Sequence, residues 1–185
     1  MAKLELLLEY GGVAVDFDVF FIQGERIKDI LKRKKAITCY GDEDGNNIRF
    51  VAARKDSKFI WAWRKSYEDI CVANDRNFNK AFVSKYLSVL YPEDVYVTDH
   101  IFNNPHPDRQ LSQFFRDCGK IPWRNSIAIH SYERFGGVPI SSFEDLQNAN
   151  VTTHTIWLRT IHFNAKIPAR SKDLKDEVIP PSPPS

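Results

Sequence analysis

KFIWAWRK, residues 58–65, decides how this chain is read. Phe59, Trp61 and Trp63 fall on alternate positions, and Lys58, Arg64 and Lys65 stand at the ends. Alternation of large apolar residues is the period of a β-strand, whose successive side chains point to opposite faces. The preceding run, IRFVAARK (48–55), has the same character, and Asp56-Ser57 between them is a turn signal. The pair is therefore expected to form an antiparallel hairpin. In that register Ala53 faces Ile60, Ala52 faces Trp61, Phe50 faces Trp63 and Arg49 faces Arg64. One face then carries Ile48, Phe50, Phe59, Trp61 and Trp63.

A face of five large apolar residues is core in most proteins. Its functional alternative is a stacking platform for single-stranded nucleic acid. Aromatic rings would stack on bases, each worth on the order of 1–3 kcal/mol, while basic residues meet phosphates. The residues expected to carry such binding are Trp61, Trp63, Arg49, Arg64 and Lys58. Lys32 and Lys35 from a neighbouring basic segment join them. That segment, GERIKDILKRKK (24–35), places Ile27, Ile30 and Leu31 on one face of a surface helix.

Working toward the N-terminus, KLELLLEY (3–10) and VAVDFDVFFI (13–22) flank Gly11-Gly12. Two alternating runs around Gly-Gly predict a second hairpin with a tight turn. Its core face would carry Leu4, Leu6, Leu8, Val15, Phe17 and Val19. Its reverse face would carry Glu5, Asp16 and Asp18, with Glu5 directly opposite Asp18. Like charges so opposed destabilise a sheet unless they are solvated, covered by a basic element or bridged by a cation. Asp16 and Asp18, about 7 Å apart along a strand, would need Glu5 and a second ion to form a metal centre. GDEDGNN (41–47) reads as a solvated turn, because a calcium loop there would have Asn47 in place of its glycine and Ala53 in place of its final glutamate.

Working toward the C-terminus, AITCY (36–40), YEDICVAND (67–75), DVYVTDHIF (94–102), NSIAIHSYERF (125–135) and THTIWLRTIHFNAKI (153–167) have strand character. Residues 76–91 read as a helix, with Phe78, Phe82, Tyr86 and Leu90 every four residues and Pro92 as its stop. A second helix is expected after Pro107 and a short capped one near 142–149. The mixture follows no strict βαβ order, which implies an α+β fold with a mainly antiparallel sheet built from hairpins and two to four packed helices. Residues 1–167 are expected to form a single domain. Residues 168–185, ending IPPSPPS, are expected to form a flexible Pro-rich tail.

His130 shares a strand face with Tyr132 and Arg134. Base or acid, orienter and phosphate clamp are the kit of a metal-independent ribonuclease. His154 and His162 would lie about 26 Å apart on one strand and cannot serve one centre. Neither a P-loop nor a GxGxxG, a C-x-x-C or a nucleophile elbow is present in the sequence, so no cofactor is expected.

The bulk properties set the frame. The chain has 185 residues, 43% of them hydrophobic, with thirteen Phe and four Trp, enough for one core. A net charge of +2 says little about partners. Three dispersed cysteines, Cys39, Cys71 and Cys118, fit reduced thiols in a cytoplasmic protein. The start, with Glu5 and Glu9 interrupting a short apolar run, is neither a signal peptide nor a membrane span. The leading expectation is a non-catalytic binding or regulatory module in a larger assembly, its partner another protein or a nucleic-acid or ribonucleoprotein complex. The alternative is a nuclease or phosphodiesterase. It would use metal through Asp16, Asp18 and Glu5, or no metal through His130, Tyr132 and Arg134.

Overall fold

In a computed structural model of the chain, the described residues are 1–40, 45–69, 78–98, 102–103 and 126–130, with 142 and 144. KFIWAWRK forms the first two turns of a helix, α3 (Lys58–Asp69), and the expected aromatic hairpin does not exist. The residues permit both periods. Phe59, Ile60, Trp63 and Ser66 are buried, and Tyr67 packs behind them, a stripe of helical spacing. Trp61, which alternation would have placed beside Trp63, points outward at 58% exposure.

The choice is made at residue 57. The Ser57 hydroxyl accepts the Ile60 amide at 3.2 Å, an N-cap rather than a hairpin turn. The buried Asp94 carboxylate accepts hydrogen bonds from the Ser57 hydroxyl at 2.6 Å and the Phe59 amide at 2.9 Å. Three of the donors at this helix start are thus met by side chains. Trp63 is fully buried and donates its indole N–H to the Asn79 carbonyl at 2.8 Å.

The first hairpin is also replaced. Residues 3–10 lie in α1 (Ala2–Tyr10), which buries Leu4 and Leu7 and packs Leu8 behind them. Leu4, Leu7 and Leu8 have i, i+3, i+4 spacing, and Leu6 is exposed. Gly11, at φ 69°, ends the helix and donates its amide to the Leu7 carbonyl. The chain then enters β1 (Gly12–Val15) and, after a turn, β2 (Val19–Phe21).

The remaining elements follow the expected order. They are α2 (Arg26–Arg33), β3 (Ala36–Tyr40), β4 (Asn46–Ala53), a π-helical segment (Phe78–Val83) running into α4 (Ser84–Leu90), β5 (Val95–Thr98), β6 (Phe102–Asn103) and β7 (Ala128–His130). Residues 67–69 of the expected strand 67–75 belong to α3. The expected helix after Pro107, most of that near 142–149, the last strand and the Pro-rich tail lie outside the described residues.

The fold is α+β. A four-stranded sheet runs β1-β4-β3-β5, antiparallel but for the parallel pair β3–β5. A smaller sheet runs β2-β7-β6. Strand β4 lies between β1 and β3, and both its faces are packed. Phe50 and Ala52 pack with Ile27, Ile30, Ile127 and Val19. Val51 and Ala53 pack with Leu4, Leu7, Phe59, Ile60 and Trp63. A register shift between Ile37 and Cys39 bulges β4, so Ile48 joins the second group although the alternation sets it with Phe50. No helix of the described residues is long and apolar enough to cross a membrane.

Candidate metal centre

Strand β1 ends where the Asp16 amide donates to the Arg49 carbonyl at 2.9 Å, one step past the Val15–Phe50 pair. The Val19 amide then donates back to the Asp16 carbonyl at 3.2 Å, closing a four-residue turn over Asp16, Phe17, Asp18 and Val19. Aspartate suits the first position of such a turn, where its carboxylate can meet nearby amides. Phe17, expected in the core, is fully exposed at the tip.

The turn also carries the chain from the larger sheet to the smaller one. In β2, Val19 is paired with His130 of β7. That register sets the imidazole beside Asp18, with His130 Nε2 to Asp18 Oδ1 at 3.1 Å. One donor atom each from Asp16, Asp18 and His130 lie within 4.8 Å of one another. Folding back at the turn therefore does what a straight strand could not, bringing carboxylates two residues apart to a common point.

His130 is buried, with 2% of its surface exposed. Burial lowers its pKa to about 4 from 6.5, the Asp18 and Asp16 carboxylates pulling upward and the Arg49 guanidinium downward. The ring is neutral at pH 7, the form in which an imidazole ligates metals. Asp16 also contacts an ammonium: Lys3 Nζ of α1 is bonded to Asp16 Oδ1 and lies 3.3 Å from the Ile48 carbonyl.

Some expected members are elsewhere. Glu5 is on α1, where it pairs with Arg64 Nη2 at 3.1 Å, so it neither opposes Asp18 nor joins a metal site. The basic helix α2 does not cover the acidic pair. Lys32 pairs with Asp29 at 2.7 Å, and Lys35 with Asp56 at 2.8 Å. Lys3 supplies the positive charge instead. Tyr132 and Arg134 lie outside the described residues.

The expected nucleic-acid residues are dispersed. Trp63 is inside the core and cannot present its ring to a base. Trp61 and Lys58 are exposed on α3. Arg64 is tied to Glu5 and Glu68. Arg49 alone of this set adjoins the aspartate turn. Lys3 had no sequence signal beyond its place in KLELLLEY, because the strand reading of that run hid the helix that aims it. Neither a family model nor a curated protein nor a solved structure matches the chain.

Proposed function

We propose that the chain is a metal-dependent phosphodiesterase of the nuclease class, with a divalent cation held by Asp16, Asp18 and His130. The observation that carries this is the convergence of two carboxylates and a neutral imidazole within 4.8 Å. Mixed oxygen and imidazole donors suit manganese or zinc better than calcium. Three protein donors leave coordination positions open, the pattern of catalytic rather than structural sites. A cation so held supplies charge to a phosphoryl oxygen and lowers the pKa of a bound water. Asp16, Asp18 and His130 would hold it, and the contact between His130 Nε2 and Asp18 Oδ1 fixes the ring only until the cation enters. Arg49 and Lys3 add positive charge at the rim, which favours an anionic substrate. A cytoplasmic location goes with this reading, as the odd number and wide spacing of the three cysteines suggest.

The test is cleavage of single-stranded RNA and DNA in manganese, in magnesium and in EDTA. Cleavage in manganese that is lost in EDTA and in Asp18→Asn supports the reading. Cleavage that persists in EDTA overturns it.

A second reading rests on the same contacts. Lys3 with Asp16 and His130 with Asp18 satisfy one another without a metal. The cluster then clips β7 to the turn, and the protein is a binding module whose partner is nucleic acid or another protein. No cleavage under any condition, with no cation binding, favours this one.

A further inference from the structure

The residue that sets how tightly the cluster takes a cation is not one of its three donors. We infer that Lys3 is a built-in competitor, an ammonium that occupies Asp16 and that an incoming divalent cation must displace. This rests on the metal reading of Asp16, Asp18 and His130 given above.

Lys3 sits near the start of α1, and the burial of Leu4 and Leu7 fixes that helix against the sheet. The helix therefore delivers Nζ to one place, the Asp16 carboxylate and the Ile48 carbonyl behind it. Both partners of the pair are only half buried, so the ammonium can swing away into water at modest cost. An ammonium and a divalent cation held on one carboxylate repel each other. Against a divalent charge about 6 Å away such repulsion amounts, even at the dielectric of water, to roughly a tenfold change in affinity. The Ile48 carbonyl leaves the displaced ammonium one hydrogen-bond acceptor nearby. From there it can turn to an anion brought by the substrate.

Isothermal titration with manganese tests this on five chains: the wild type, Lys3→Gln, Lys3→Arg, Asp18→Asn and Lys34→Gln. Lys3→Gln should bind manganese roughly tenfold tighter than the wild type. Lys3→Arg keeps the charge and should bind as the wild type does, which a merely structural role for the lysine would not require. Lys34→Gln, which removes a half-buried partner of the exposed Glu93 elsewhere, should change nothing. Equal affinity in Lys3→Gln and the wild type overturns the inference, while loss of binding in Asp18→Asn would leave the metal reading standing. Binding by Lys3→Gln with none by the wild type supports the competitor role and overturns a metal-dependent activity for the native chain. No binding by either overturns both.

Discussion

Trp61 and Trp63 stand two residues apart and have opposite fates. Trp63 fills the space between α3 and the sheet, and its indole N–H is satisfied by the Asn79 carbonyl. Trp63→Ala removes that volume and leaves a buried carbonyl short of its donor. The expected loss is about 3–5 kcal/mol in urea unfolding. Trp61→Ala should stay within about 0.5 kcal/mol of the parent, because its ring is mostly in water. His130 gives a second residue-scale prediction. Its pKa is about 4 in the folded chain, below the ordinary 6.5, so the unfolded chain takes up a proton that the folded one does not. The stability linked to the neutral ring is fully present above about pH 6.5. It falls toward pH 4 with a slope of at most about 1.4 kcal/mol per pH unit. Unfolding of the parent and of His130→Asn across this window isolates it, the substituted chain losing that part of the slope. In the sequence His130 was legible as a chemical group, and its partners were not. Asp18 lies 112 positions away and meets it through the pairing of β2 with β7.

At the scale of the element, α3 and α1 carry the same lesson. KFIWAWRK fits period 2 through Phe59, Trp61 and Trp63, and the helical period through Phe59, Ile60 and Trp63, with Tyr67 just beyond it continuing the stripe. KLELLLEY fits both through its leucines. Short apolar runs are ambiguous in this way, and the end signals decide. Ser57 is such a signal, reinforced by Asp94, which the linear sequence sets 37 residues away from it. Ser57→Ala should cost about 1 kcal/mol in thermal or chemical unfolding. Asp94→Ala should cost more, about 2 kcal/mol, since it strips partners from the Ser57 hydroxyl and the Phe59 amide in a buried place. If the two substitutions cost the same, the carboxylate adds nothing to the serine cap. Gly11 is the counterpart at the end of α1. It lies at positive φ, and a Cβ there would come within 3.2 Å of the Ala53 carbonyl. Strands β3, β4 and β5 and helices α2 and α4 were legible because their patterns are longer or carry no rival period.

For the whole molecule, the junction of the two sheets is where structure and proposed chemistry meet. A cation bound there ties β7 to the turn after β1 and stabilises the folded chain alone. Manganese at a hundredfold excess over its dissociation constant should add about 2.7 kcal/mol to the unfolding free energy. A thermal melt with and without the metal reads this directly, and Asp18→Asn should show no shift. The sequence by itself determined the α+β class, because alternating and helical runs coexist without βαβ order. It also determined the inventory of chemical groups, with its acidic pair and its histidine. Tertiary structure, acting with the local Ser57 cap at α3, decided which of two periods each apolar run obeys. That choice turns on what covers the run, Asp94 and Asn79 for α3 and the face of β4 for α1. It also decided which charges meet, moving Glu5 to Arg64 and Lys3 to Asp16. Side-chain proximity depends on where the backbone folds back, and local residue types do not encode the distance between segments a hundred residues apart.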